Sequence, residues 1–297
     1  AVTWWVSGTL AFTPGGILGG KVSGGAAAGL LALYAFGIGK AALMPIHRWL
    51  PAAMVAPTPV SALLHAVAVV KAGVFSIVKV VVYVFGLEFS AEAFAWLPWV
   101  AGFTIIAASI VALRADNLKR RLAYSTVSQL SYVVLAAALL APNAVMGAVL
   151  HIAAHAFGKI TLFFAAGAVY TAAHKTEVSQ LDGVGRRMPW TFAAFAIGAL
   201  SMIGLPPAAG AVSKWYMISG AAAAEHWLAL GVIVASTLLN AGYFLPIVYR
   251  AFFKEGNGET HGEAPWTMVL ALVTTAALTI AMFFWAELPV ALARSLT

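Results

Sequence analysis

The chain contains no cysteine, which excludes disulfides, thiol chemistry and iron–sulfur ligation and leaves the compartment open. Charge is scarce as well. Only 9% of the 297 residues are charged and 62% are hydrophobic, against roughly 25% charged in soluble domains. Mean hydropathy is +0.93. Such a composition belongs in a bilayer, and the length suffices for several spans of about 20 residues. Acidic residues are the rarer sign, 10 against 17 basic, so the net charge is +7 and the pI is near 9.7. In a soluble protein that excess would suggest nucleic acid. Here the positive-inside rule gives a plainer account, provided the basic residues cluster on one side. No signal peptide is visible, and the first residue is Ala1 rather than Met, so the chain reads as a fragment lacking an N-terminal part.

Apolar runs read against polar breaks predict an all-α membrane protein with about eight transmembrane helices, two of them discontinuous. Residues 1–10 look like the end of an earlier span. The predicted spans are 26–54, 59–86, 96–114, 118–141, 144–173, 188–224, 226–253 and 265–292. The first and sixth are longer than a straight crossing needs, and both are interrupted. "GIGKAALMPIHRWLP" places Pro45 and Pro51 beyond a glycine-rich turn. "IGLPPAAGAVSKWY" breaks at Gly204, Pro206, Pro207 and Gly210. Proline removes a backbone donor and glycine relaxes the backbone, so each reads as a broken helix.

The charges test this topology. Alternating spans put Arg48, Arg114, Lys119, Arg120, Arg121, Lys175, Arg186, Arg187, Arg250 and Lys254 on one side, and only Lys21 and Arg294 on the other. Such a bias assigns the basic side to the cytoplasm and leaves a nucleic-acid reading nothing to explain. Five lysines remain at membrane depth: Lys40, Lys71, Lys79, Lys159 and Lys214, accompanied by His65, His151 and His155. Lysine at the bilayer centre costs about 2.5–3.5 kcal/mol on insertion scales, so the central ones must face protein or water. Lys79 lies nearer the end of its span and can snorkel to the interface.

None of the ten acidic residues, Glu88, Glu92, Asp116, Glu177, Asp182, Glu225, Glu255, Glu259, Glu263 and Glu287, falls deep in a span. Buried lysines without carboxylates either deprotonate or borrow countercharge from elsewhere. A proton relay uses that condition, because moving an anion toggles the proton. In "HIAAHAFGKITLFFAAGAV", steps of four residues drift only about 40° on a helix, so His151, His155 and Lys159 form one stripe about 12 Å long. "YSTVSQLSY" puts Tyr124, Ser128, Ser131 and Tyr132 along one helical face with Ser125 and Gln129 beside it. Such groups either glue helices together or hold ordered water between lysines.

Histidines at i and i+4 also suit zinc. However, Ile-Ala-Ala separates them without a glutamate to act as base, and the next ionisable group on the face is a lysine that repels a divalent ion. No metal and no cofactor are assigned. Two further readings stay open for the pair: core histidines satisfied by neighbouring hydroxyls, or members of a hydrated proton path.

Four stretches carry a family resemblance: "GKAALMPIHRWLPAAMVAPTPVSALLHAVAVVKAG", "NLKRRLAYSTVSQLSY", "HIAAHAFGKITLFFAAGAV" and "GLPPAAGAVSKW". Together they resemble the antiporter-like, proton-conducting membrane subunits shared by respiratory complex I and Mrp-type multisubunit Na+/H+ antiporters. The resemblance implies a full subunit of fourteen helices, built from two inverted five-helix repeats with one broken helix each. It divides this chain into residues 1–90, the end of the first repeat, residues 91–256, the second repeat, and residues 257–297, a C-terminal transmembrane helix. It also implies relay lysines at Lys40 and Lys214 on the broken helices, a histidine at His65, and a connecting lysine at Lys159 with His151 and His155 beside it. The family's glutamate partner of the first relay lysine belongs to an earlier helix that this chain lacks. The long amphipathic C-terminal helix of some complex I subunits is missing too, since the sequence stops at Thr297.

The expected function is therefore that of a proton-translocating membrane subunit in a multisubunit monovalent cation/proton antiporter, moving protons along a hydrated axis of Lys40, His65, Lys71, His151, His155, Lys159 and Lys214. Other membrane subunits and the bilayer are the expected partners, protons and sodium the expected ions, and the bacterial inner membrane the expected location. The alternatives are a proton-pumping subunit of a complex I-like oxidoreductase or membrane hydrogenase, a structural membrane scaffold, and an intramembrane metalloenzyme. Because the chain is free of cysteine, single-cysteine labelling tests the topology cleanly. Cysteines replacing Arg120 and Lys254 should react from one face of the membrane, and one replacing Glu88 from the other. Labelling of positions 120 and 254 from opposite faces would break the arrangement.

Overall fold

Proline and glycine decide where the helices stop. In the computed structural model, residues 1–256 and 261–296 are described; Glu259 and the first residues of the segment from 257 lie outside them. After a short N-terminal helix, Val2–Ser7, the helices are α1 (Gly24–Gly37), α2 (Thr58–Phe85), α3 (Ala91–Arg114), α4 (Leu118–Ala138), α5 (Pro142–Ala173), α6 (Pro189–Ile203), α7 (Ala209–Ala223), α8 (Trp227–Phe253), α9 (Trp266–Phe284) and α10 (Glu287–Arg294). Of these, α2, α3, α5, α8 and α9 are each long and apolar enough to cross a membrane.

Both predicted interruptions are present. The first span stops as a helix at Gly37 and continues through short turns at Gly39–Ala41 and Ile46–Arg48 to the single turn Trp49–Ala52. Its freed backbone groups find side chains: the Met44 amide donates to Thr104 Oγ1 at 3.2 Å, and Trp49 Nε1 donates to the Gly39 carbonyl at 3.0 Å. The second interruption falls between α6 and α7, where Gly204 takes a left-handed φ of 90° and Pro206 and Pro207 follow. Glu263 caps the far end of α6, accepting from the amide of Trp190 at 2.8 Å and the hydroxyl of Thr191 at 2.6 Å. A carboxylate there complements the positive end of the helix dipole.

Two spans differ from the sequence expectation. The span at 59–86 is α2, but it contains wider π turns at Leu63–Val67 and Val80–Phe85, and His65 sits in the first. Turns of that kind gather at functional sites in membrane and soluble helices alike. The span at 265–292 ends as a helix at Phe284, and α10 restarts at Glu287. Glu287 and Pro289 suit the first turn of a new helix better than the interior of an old one.

The core is built around α4. It carries three basic residues, four hydroxyl-bearing serines and threonines and a glutamine, yet only Lys119, Arg120 and Tyr124 of its residues are not buried. The 32-residue α5 packs against α4, α6, α7 and α9. Close approach depends on small residues, as expected where lipid supplies no hydrophobic drive for helix association. A Cβ on Gly73 of α2 would run into the Lys40 carbonyl carbon and the Ala41 amide, so the first break leans directly on α2. A Cβ on Gly210 would occupy the position of the Ser201 carbonyl oxygen, so the two halves of the second broken helix touch backbone to backbone.

At one end the loops are knitted together. Leu118 and Val178 amides donate to the Thr176 and Asp116 carbonyls at 2.8 Å each, the Gly183 amide to the Arg250 carbonyl at 3.1 Å, and Arg250 pairs with Asp182 at 2.6 Å. The hydrogen bond from Arg250 holds the Asp182 carboxyl below the usual carboxylate range. This end gathers Arg114, Lys119, Lys175, Arg186 and Arg250, as the charge bias requires. At the opposite end the Ile17 amide donates to the Val84 carbonyl at 2.9 Å, and Lys79 places its ammonium 3.8 Å above the Phe12 ring. Arg121 departs from the expected loop position. Its side chain is 8% exposed, with Nε donating to the Ala115 carbonyl at 2.8 Å and a terminal nitrogen to the Tyr243 carbonyl at 2.9 Å.

A methyl group at Gly73 must push the first break away from α2. Gly73→Ala should lower unfolding stability in detergent by about 1–3 kcal/mol, whereas Gly25→Ala, where a Cβ meets open space, should leave it nearly unchanged. Equal thermal melts for the two variants would refute the close contact.

Candidate functional site

A helix break leaves carbonyl groups without partners, and here basic and amide side chains take them. The last carbonyls of α6 are those of Met202 and Ile203. Lys214 of α7 donates to the Ile203 carbonyl at 2.8 Å and to Thr237 Oγ1 at 3.1 Å, and its ammonium lies 4.7 Å from the centre of the Tyr132 ring. Gln129 of α4 donates to the Met202 carbonyl at 3.0 Å, and Asn240 of α8 to the same carbonyl at 3.3 Å. The negative end of the α6 dipole thus faces an ammonium group in the middle of the bundle.

The stripe on α5 is wholly buried: His151, His155 and Lys159 are each 0% exposed. Its members turn to three different helices. Lys159 donates to the Leu122 carbonyl of α4 at 3.2 Å and to Ser125 Oγ, while its ammonium lies 5.4 Å from the Phe244 ring centre. His155 Nδ1 lies 2.5 Å from Lys71 Nζ of α2, and its Nε2 is buried without a protein partner. His151 meets Gln129 Oε1 through Nε2 and Ser213 Oγ through Nδ1, both at 2.9 Å. The His151 and His155 ring centres are 6.1 Å apart. His65 is buried against the Phe163 ring at 5.2 Å, with the Leu50 carbonyl beside it and neither ring nitrogen in a well-formed hydrogen bond.

Six of the seven basic residues expected on the axis are therefore buried: His65, Lys71, His151, His155, Lys159 and Lys214. Lys40 is exposed in this chain, in the turn at Gly39–Ala41, and its backbone rests on Gly73, two residues from Lys71. Among the described residues no acidic side chain is buried.

The hydroxyl face of α4 is displaced from the one expected. Ser125, Gln129 and Tyr132 meet Lys159, His151 and Lys214, a spacing of four and three residues. Ser128 points instead to α3, bonding Ser109 at 2.9 Å, and Ser131 donates back to Val127 of its own helix at 3.0 Å. Tyr124 is half-buried beside Arg120 and His47. The shift follows from burial on all sides: a helix with neighbours all round presents hydroxyls to several of them, so periodicity alone does not single out the functional face.

Sequence reasoning passed over the contribution of α8. Ser236 and Asn240 are 0% exposed, with Thr237 between them; Ser236 bonds the Tyr132 hydroxyl, and Asn240 accepts from the Tyr243 hydroxyl. The signal was available as "STLLNAGY", polar residues three and four apart in an apolar run. Ser201 and Ser213 on the two halves of the broken helix were also overlooked. Ser201 Oγ accepts from the Gly210 amide at 3.2 Å, and Ser213 Oγ donates to the Gly210 carbonyl at 3.0 Å.

Comparison with known proteins defines the class. The sequence pattern of the family described as "NADH:quinone oxidoreductase/Mrp antiporter, TM" matches residues 2–240. The chain belongs to that family, and it is a multi-pass membrane protein. It is 39% identical over 217 residues to NADH-quinone oxidoreductase subunit N of Desulforudis audaxviator, covering 72% of this chain and 43% of the relative. It is 36% identical over 215 residues to NADH-quinone oxidoreductase subunit L of Rickettsia bellii, covering 72% and 32%. The fold is that of a chain in the Mrp complex from Dietzia sp. DQ12-45-1b, with a TM-score of 0.87 at 21% identity, covering 99% of this chain and 63% of the other. A chain of respiratory complex I from Thermus thermophilus aligns with a TM-score of 0.80 at 25% identity over the same shares. The chain thus spans less than half the length of these curated relatives.

The displaced α4 face can be checked by stability. Gln129→Leu leaves His151 Nε2 without its acceptor and removes a donor from the Met202 carbonyl, which should cost about 1–3 kcal/mol. Ser131→Ala removes only a bond within its own turn and should cost a few tenths, about 0.5 kcal/mol at most. Thermal unfolding that ranks the two the other way would refute the bonding described for Gln129.

Proposed function

We propose that this chain is the proton-conducting part of a membrane subunit in a multisubunit assembly, and that protons travel along Lys40, Lys71, His65, His155, Lys159, His151 and Lys214. The observation that carries this reading is the burial of six basic side chains in one connected region, with no buried carboxylate among the described residues. Holding so many fixed cations in a bilayer would be very costly, whereas amines and imidazoles that exchange protons need not all be charged at once. Lys71 and His155 already share one hydrogen-bond contact at 2.5 Å. Ser125, Gln129, Tyr132 and Asn240 supply groups that both donate and accept, the property a relay needs between its titrating members.

On this reading the two broken helices, near Pro45 and at Gly204, Pro206, Pro207 and Gly210, mark the ends of the path. Interrupted spans in paired repeats place ion sites near the midplane. The assembly is a monovalent cation/proton antiporter in the bacterial inner membrane, with the basic loops facing the cytoplasm. The family's description, which names the Mrp antiporter, supports this choice. A second reading, a proton-pumping subunit of a complex I-like oxidoreductase, is favoured by the names of the curated relatives at 39% and 36% identity.

Lys159 decides between conduction and scaffolding. In the full-length protein within its assembly, Lys159→Met should reduce proton movement at least about tenfold while assembly persists, because removing a costly buried charge need not destabilise. Lys159→Arg should fail as well, since guanidinium does not release its proton. Proton uptake by vesicles carrying the purified assembly is the measurement. An assembled Lys159→Met variant that moves protons at the wild-type rate would leave only the scaffold.

A further inference from the structure

The hydrogen bonds around His151 determine where it binds a proton. The Met202 carbonyl can only accept, so the Gln129 amide nitrogen must face it, at 3.0 Å. The Gln129 oxygen therefore faces His151 Nε2 at 2.9 Å, and because that oxygen also only accepts, Nε2 must carry a hydrogen. Nδ1 is thus the one position of His151 that can gain or lose a proton. Opposite Nδ1, at 2.9 Å, stands Ser213 Oγ, which is also 3.0 Å from the Gly210 carbonyl. A hydroxyl has a single hydrogen, and the two neighbours compete for it.

We propose that Ser213 is a positioning residue whose hydroxyl hydrogen follows the proton on His151 and carries its charge state to the second broken helix. When Nδ1 is bare, the Ser213 hydroxyl donates to it. When a proton arrives, an N–H bond forms at Nδ1, the serine oxygen becomes the acceptor, and its hydrogen swings to the Gly210 carbonyl. No bond of Ser213 breaks, and the proton stays on His151 until the next acceptor takes it. Gly210, in the first turn of α7, is held from its other side by Ser201 Oγ on α6, so the rotation changes the bonding where the two halves of the broken helix touch. Lys214, the residue after Ser213, lies on that same turn.

The charged and titratable groups facing His151 are few. They are Lys214 on α7, Lys71 on α2, His155 on its own helix and the Tyr132 ring on α4. Helices α6 and α9 contain no titratable side chain. The terminal α10 packs on α5 through Val290 and Ala293, with Glu287 and Arg294 exposed. Among the described residues Ser213 is thus the one hydroxyl in contact with the exchangeable nitrogen of His151.

The inference rests on the proton-conducting reading for its purpose, but its test does not need transport. The protonation of His151 is followed by infrared difference titration of the full-length protein in its native assembly, with His151→Asn identifying the histidine bands. A hydrogen bond to a cationic N–H is stronger than one to a neutral ring nitrogen, so losing Ser213 penalises the protonated form more. Ser213→Ala should move the His151 midpoint to lower pH by about one unit, roughly a tenfold loss in proton affinity. Ser213→Thr, which keeps the hydroxyl, should restore the wild-type midpoint. If Ser213→Ala does not assemble, Ser213→Cys takes its place and must shift in the same direction. A midpoint unmoved in the variant lacking the hydroxyl overturns the proposal. Proton uptake measured on the same samples tests the conducting reading separately: a wild-type assembly that moves no protons overturns that reading while the His151 shift still decides the role of Ser213.

Discussion

The contact between Lys214 and the open end of α6 governs the rest of the arrangement. A helix that stops in the middle of a bilayer leaves carbonyls out of reach of bulk water, and a lysine there lacks bulk water to solvate its charge. Each solves the problem of the other. The Ile203 carbonyl accepts from Lys214 at 2.8 Å, and Gln129 and Asn240 share the Met202 carbonyl next to it. With no buried carboxylate among the described residues, helix-end dipoles and hydroxyl oxygens supply the negative potential. Partial charges of that kind hold an ammonium group without trapping it as a full ion pair would, which is what the proposed relay needs of Lys214.

Two long helices keep these groups in register. Nearly all of α4 is buried although it is rich in polar residues, so each of its hydroxyls and its amide must find a partner inside the protein. The stripe on α5, Ser236 on α8, Ser109 on α3, the Met202 carbonyl of α6 and carbonyls of α4 itself supply those partners. Glycines at the crossings let backbones approach until Gly73 meets the first break and Gly210 meets Ser201. Thirty-two residues in α5 span about 48 Å at 1.5 Å per residue. It therefore extends beyond the apolar layer, and the loops at Thr176 and Asp182 pin its end to α4 and α8.

Much of this was legible in the sequence because the signals are physical and local. Apolar length marked the spans, and proline with glycine marked both breaks. Lysines and histidines in apolar surroundings marked six buried basic side chains. What remained hidden depended on three-dimensional neighbours. Of the expected α4 lining, Ser125 and Gln129 touch the α5 stripe, whereas Ser128 is drawn to Ser109 on α3 and Ser131 to its own helix. Arg121 reads as a loop charge beside Lys119 and Arg120, yet the Ala115 and Tyr243 carbonyls draw it inward. The Ser236 and Asn240 pattern on α8 was present in the sequence, but hydroxyls in apolar helices usually serve packing, and only its junction with Tyr132 distinguishes it. The π turn at His65 has no sequence signature.

The central claim is that this interior conducts protons, and conduction requires water beside the polar atoms that the protein leaves unpaired. Both ring nitrogens of His65 and Nε2 of His155 are such atoms. A density map of the full-length protein in its assembly, fine enough to place waters, is the most direct measurement. The account expects ordered waters within about 3 Å of these three nitrogens, joined in a chain that runs from Lys71 past Lys159 to Lys214. A dry interior, with His65 and His155 packed only against apolar side chains, would contradict it.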